Sequence, residues 1–210
     1  TEGAILGRVR DTSHSIMSEG LTRRAYGRFD AVQMRTAWGR HHLRRFALVD
    51  GGDVLASAMQ YDLAAVLDQQ VVHVCGIAAI FPQPTLATGG DARELVDRLL
   101  EQAARDGAAM GLLFSDMRGK QQMAGFDLVP MTDVEIGVAE PSRRGAPMTL
   151  IRGGEERDLA AIVAMGRIRA DRFRFHLDRD VDFVQYAITK KRLLAGLGTA
   201  TRTRATPGGG

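Results

Sequence analysis

The residues best suited to chemistry gather in the stretch AAIFPQPTLATGGDARELV, residues 78–96. An apolar strand there gives way, through Gly89-Gly90, to a helix opening at Asp91. Glycines let an anion come close to bare backbone, and a helix N-terminus adds unsatisfied N–H groups and a partial positive charge of about 0.5 e. A diphosphate suits such a corner. The sequence contains neither GxxxxGK(S/T) nor GxGxxG, so P-loop and dinucleotide fingerprints gain no support. His73, on the strand leading into this stretch, is the best single candidate for a general base, because an imidazole titrates near neutral pH. The alternative for His73 is a core histidine satisfied by hydrogen bonds.

Other reactive residues read more plainly. Cys75 alternates with Gly76 inside the strand and is expected to be a small core hydrophobe, not a nucleophile. His41-His42 beside Arg44-Arg45 read as a solvated basic edge. There is no HxxxH and no CxxC, so no zinc site is expected. Asp178, Asp180 and Asp182 begin like a calcium loop, but Phe183 holds the glycine position and Thr189 the bidentate position, which excludes one. Arg167, Arg169, Arg172 and Arg174 with Phe173 and Phe175 could bind RNA by charge and stacking, yet Asp171 and Asp178 dilute them. A solvated helix end is the better reading.

Composition bounds the class. With 210 residues, 45% hydrophobic and 25% charged, the chain can bury a core without disulfides and is not disordered as a whole. A net charge of +3 suits an anionic ligand but does not demand nucleic acid, which is not expected as a partner. One cysteine excludes a disulfide scaffold. Every apolar run is broken before about 18 residues, so no membrane association is expected. Thr1-Glu2-Gly3 shows no secretory signal, so a cytoplasmic location is expected, and the absent Met suggests a fragment or a processed chain.

The elements that must position these residues follow from periodicity. Ile5–Arg10 reads as a short strand, with Thr12 or Ser13 capping a helix that stops at Gly20. Residues 22–40 read as helical, with Tyr26, Phe29, Val32 and Trp38 on one face. Strands at 45–49, 54–67 and 71–81, joined by turns at Asp50–Asp53 and Asp68–Gln70, make an antiparallel meander, the third strand buried on both faces. Asp91 to about Asp106 is an amphipathic helix carrying Leu95, Leu99, Gln102 and Ala103 on one stripe, with Glu94/Arg98 and Glu101/Arg105 as ion pairs and Gly107 beyond its end. A strand at 109–115 follows, predicting a parallel pair with the strand before the helix. Residues 116–123 read as a short helix, 134–138 as a strand, 141–147 as a linker and 148–152 as a further strand. Helices are expected at 155–168 and 181–194, the latter ending at Gly196, with residues 199–210 disordered. The fold class predicted is α/β, with a mixed, mostly antiparallel central sheet flanked by helices.

Taken together, the stretch resembles the GCN5-related N-acetyltransferase (GNAT) superfamily, in particular its bacterial two-part type. The acetyl-CoA loop of that family follows Arg/Gln-x-x-Gly-x-Gly/Ala, and Ala87-Thr88-Gly89-Gly90-Asp91-Ala92 fits its register. Residues 76–81 match the family's cofactor-binding strand, Pro84 its proline before the loop, and residues 113–116 with Gly125-Phe126 its far end. The resemblance covers about residues 1–140, the expected acetyltransferase domain (acyl-CoA N-acyltransferase fold). A partial, mainly helical C-terminal segment over 148–197 and a tail over 198–210 complete the expected organisation.

The resemblance implies transfer of an acetyl group from acetyl-CoA to a primary amine of a small molecule or peptide, by direct attack and without a metal. It implies backbone contacts from Ile80 and Phe81 to the pantetheine and thioester, and from Thr88, Gly89, Gly90, Asp91 and Ala92 to the diphosphate. Self-association stays open. Four residues depart from the family: Ala87 lacks the usual loop-opening Arg or Gln, Asp91 brings a carboxylate, Gln121 replaces a Tyr acid, and Pro82 lacks an N–H. A CoA-binding or regulatory module without turnover is therefore the alternative function, and a basic RNA-binding module a third.

Overall fold

The computed structural model describes residues 2–18, 20–82, 90–113, 125–127, 129 and 154–202. The chain opens with helix α1 (Glu2–Met17). This corrects the strand expected at Ile5–Arg10. Ile5, Val9 and Ser13 recur every four residues, the spacing of a helix face, and Val9 and Ser13 are fully buried. Thr12 and Ser13 lie inside this helix instead of capping one, and Gly20 (φ +82°) turns the chain behind it.

The next helical stretch divides. Helix α2 (Arg23–Arg35) is capped by Thr22, whose side chain accepts from the Ala25 N–H. Thr36 ends it and caps helix α3 (Ala37–His42) by accepting from the Gly39 N–H at 2.9 Å. The buried face of α2 is Tyr26, Phe29, Asp30 and Gln33; Val32, expected on it, is exposed. On α2 Val32 lies about 60° outside Phe29 and about 110° from the centre of the buried face, whose inward arc Asp30 and Gln33 fill.

A meander follows: strand β1 (Leu43–Asp50), strand β2 (Asp53–Leu67) and strand β3 (Gln70–Pro82), antiparallel throughout. Both hairpin turns have two central residues at positive φ, Gly51 and Gly52 in the first, Asp68 and Gln69 in the second. This twist matches that of the strands it joins. The second turn lacks glycine and is held from outside: Arg174 donates to both Asp68 carboxylate oxygens at 2.7 and 2.8 Å, and the Asp68 N–H donates to the Arg174 carbonyl. Only the middle of β3 is buried on both faces; Val71 stands largely in solvent.

Helix α4 (Asp91–Arg105) and strand β4 (Met110–Leu113) follow, and β4 pairs parallel to β3 as predicted. Leu95, Val96, Leu99 and Ala103 of α4 pack on Ala56, Ala58, Cys75 and Ile77. Gln102 instead faces solvent, bonded to Asp106, and Arg105 bonds Gln102, not Glu101. The Glu94–Arg98 pair forms at 2.5 Å. On the opposite face, Trp38, Leu43, Met59, Leu63, Ala65, Val74 and Tyr186 form a second cluster.

The C-terminal residues supply a 3-10 turn (Glu156–Asp158), helix α5 (Leu159–Ala170), strand β5 (Phe175–Leu177) and helix α6 (Val181–Arg202). Sequence reading missed β5, which pairs antiparallel with Ala65–Leu67 of β2, beyond the part of β2 that β1 covers. Helix α6 runs past Gly196 to Arg202, so residues 199–202 are helical where disorder was expected. Tyr186 joins the second cluster, and Leu193, Leu194 and Leu197 pack against Leu21, Tyr26 and Phe29. The sheet is thus mixed and mostly antiparallel, flanked by helices, as expected. The elements expected at 116–123, 134–138 and 148–152, and the linker at 141–147, lie outside the described residues.

Candidate functional site

The site begins where β3 breaks its ladder. Ser57 pairs with Phe81 and Met59 with Ala78, so Ala58 alone faces two residues, Ala79 and Ile80. This is a β-bulge, and Ala79 sits in it at φ +51°, a left-handed conformation that costs an alanine about 1–2 kcal/mol. The extra residue resets the alternation of faces. Ile77 and Ile80, three apart, both belong to the α4 cluster, while Val74 and Ala79 belong to the opposite one. Parallel pairing with β4 covers Val74–Ile77, whereas β3 continues to Pro82.

Helix α4 starts near this strand end. Ile80 beside the bulge and Ala92 in the first turn of α4 pack against the same cluster. Gly90 is the N-cap, with no side-chain capping bond, so no side chain of the cap competes for the first-turn N–H groups. Among the described residues, a Cβ on Gly90 would meet nothing within 4 Å. Asp91 is buried at the helix start, and Glu94 is drawn away by Arg98. Of the predicted loop, Gly90, Asp91 and Ala92 are therefore seen at the helix start, and Ile80 and Phe81 at the strand end; Ala87, Thr88, Gly89 and Gln121 lie outside the described residues.

His73 does not join this corner. Its Nε2 lies 2.5 Å from Asp62 Oδ1, and the ring is 36% exposed. Six residues at about 3.3 Å each separate it from Ala79, roughly 20 Å along the strand. The proposed base therefore stands apart from the bulge, paired with Asp62. Asp62 also approaches His42, whose Nδ1 is 3.9 Å from Oδ2 and has no hydrogen-bond partner among the described residues. His41 and Arg44 are exposed, as a solvated basic edge requires, whereas His42 stacks on Trp38 with centroids 4.9 Å apart and Arg45 is largely buried against Asp30. Among the described residues, no group of three or more His, Cys, Asp or Glu could hold a metal ion.

Cys75 is buried as expected. Burial pushes its thiol up, partly opposed by the hydrogen bond from Gln60 Nε2 at 3.3 Å. A small apolar hollow of about 210 Å³ opens beside it, between Leu100, Ala103, Ala104 and Met110. On the other face, burial raises the Tyr61 and Tyr186 phenols; Tyr186 donates to the buried Gln33 Oε1 at 3.2 Å.

No helix among the described residues is long and apolar enough to cross a membrane. No family model matches the chain, and no curated protein matches it. Among solved structures, it is similar to an aminoglycoside acetyltransferase from an uncultured soil metagenomic sample (14% identity, 65% of this chain and 93% of that chain, TM-score 0.45). It is also similar to an aminoglycoside N-acetyltransferase in complex with CoA (14% identity, 55% and 73%, TM-score 0.43). A third is a GNAT family acetyltransferase from Brucella melitensis in complex with acetyl-CoA (16% identity, 54% and 70%, TM-score 0.40).

Proposed function

We propose that the protein is an acetyl-CoA-dependent N-acetyltransferase acting on a primary amine of a small molecule or peptide. The observation that carries this reading is the bulge at Ala79 at the end of a strand whose next element, α4, starts on the same cluster. A bulge takes backbone groups out of the ladder, and a pantetheine arm, with its two amides, is chemically an extended peptide that can bond to such groups. The residues fit that guest: Ile80 and Phe81 offer backbone at the strand end, Gly90 leaves space, and the first turn of α4 with Ala92 offers N–H groups to a diphosphate. Thr88 and Gly89 belong to the same proposed loop. Asp91 works against it, since a carboxylate at a helix start competes with an anion.

In the reaction the amine nitrogen attacks the thioester carbonyl carbon, the C–S bond breaks, an amide forms, and the proton lost by nitrogen ends on the departing thiol. A backbone N–H freed by the bulge is the donor for the developing oxyanion. The second reading, a CoA-binding module without turnover, is favoured by the remoteness of His73.

Thermal melting with acetyl-CoA tests binding, and thiol release over an amine panel tests turnover. A ligand at about 100 times its Kd adds roughly 2.7 kcal/mol of stability. Gly90→Glu, at a position where a Cβ meets none of the described residues, is expected to fold normally and lose that gain. An unchanged gain in the variant removes the site from Gly90, and no gain in the wild type removes both readings. Binding without thiol release favours the second.

A further inference from the structure

The whole-chain charge of +3 conceals a strongly basic region: residues 20–47 carry seven arginines, no lysine, and a single acidic residue, Asp30. Asp30 is spent internally, buried against Arg10 and Arg45. On α2, Arg24, Arg28 and Arg35 are all exposed, and none makes an ion pair or hydrogen bond with the described residues. At about 100° per residue their directions fall within roughly 40° of one another. The buried residues Tyr26, Phe29, Asp30 and Gln33 point the opposite way, so the three guanidiniums form one stripe on the outermost face. With a rise of 1.5 Å per residue the stripe spans about 16 Å.

We propose that this stripe binds the phosphate backbone of double-helical nucleic acid without reading its sequence. Its chemistry selects that partner. Guanidinium forks match phosphate oxygens bidentately, and an all-arginine row is a phosphate-binding surface more than a general cationic one. Protein interfaces need an apolar or aromatic centre, and the stripe has none: Val32, on its flank, is the one exposed large hydrophobic residue of α2. Single strands are gripped by stacking on aromatic rings, and Tyr26 and Phe29 are buried. What remains is backbone contact with a duplex.

The test is fluorescence anisotropy of a labelled 20-base-pair DNA duplex with the full chain across a salt series. Three phosphate contacts give a slope of log Kd on log salt near 2.7, a loosening of about 40-fold between 50 and 200 mM. Arg24→Gln/Arg28→Gln/Arg35→Gln is expected to abolish this binding, while the triple lysine variant keeps the slope. Arg169→Gln/Arg172→Gln/Arg179→Gln removes equal charge from exposed positions elsewhere and is expected to leave it unchanged. The proposal is overturned if the wild type does not bind at 50 mM salt, if the two glutamine variants lose affinity equally, or if a polyglutamate peptide of matched charge binds as tightly as the duplex.

Discussion

Replacing Asp30 by asparagine isolates the strongest electrostatic tie between the N-terminal helices and the sheet. Asp30 Oδ2 accepts from Arg10 Nε of α1 at 2.8 Å, and Oδ1 accepts from Arg45 of β1. The Asp30 side chain is 4% exposed, that of Arg45 12% and that of Arg10 30%. Asparagine keeps the shape but removes the charge, leaving the Arg45 guanidinium desolvated without a counter-ion. Breaking a buried pair on one side costs about 3–5 kcal/mol, mostly the penalty of the stranded charge. For a chain of this size that lowers Tm by about 6–20 °C. Urea unfolding and calorimetry read the loss directly. Adding Arg45→Met to Asp30→Asn is expected to recover part of it, because the stranded charge then disappears. A loss below about 1 kcal/mol, or a double variant less stable than Asp30→Asn alone, would refute the reasoning and reclassify the triad as solvent-screened.

Ala79→Gly relieves the left-handed alanine at the bulge; after the entropic cost of glycine the net gain is about 0.5–1 kcal/mol, read as a higher urea midpoint at constant slope, and a lower midpoint would contradict the strain. Tyr61 and Tyr186 carry raised phenol pKa values in the folded state, so their contribution is complete below about pH 10 and declines as the unfolded phenols ionise above it. Tm is therefore expected to fall between pH 9.5 and 11, and less steeply in Tyr186→Phe; equal slopes in both proteins would rule out the phenol pair.

The meander, the amphipathic helix α4 and the parallel β4 were legible because alternating or four-residue apolar spacing coincides there with turn residues. The N-terminal helix was not, because Ile5-Leu6 beside Val9 reads equally as a short apolar run until Ser13 is counted as a buried position. The bulge left little sign, since Ala79 stands where glycine would have marked a left-handed residue. The Asp62–His73 contact was within reach: a two-residue turn at Asp68-Gln69 puts Asp62 opposite Cys75 and diagonal to His73 on one face. Reading that turn one residue too long hides the register. Asp30 was opaque, because a carboxylate on a buried helix face is explained only by arginines from two other elements. Strand β5 is three residues long and pairs about 110 positions back, a contact that no local pattern announces.

That distant pairing sets the order of assembly. Beyond the stretch shared with β1, the outer rim of β2 at Ala65–Leu67 is paired, among the described residues, by Phe175–Leu177. During synthesis the hairpin has long left the ribosome before its neighbour is made, and an uncovered strand rim is a template for foreign chains. The segment carrying β5 therefore acts as a clasp on a hairpin made long before it. Until it arrives, the nascent sheet depends on the charged tips of its turns, and on whatever chaperones attend it, to stay out of intermolecular pairing.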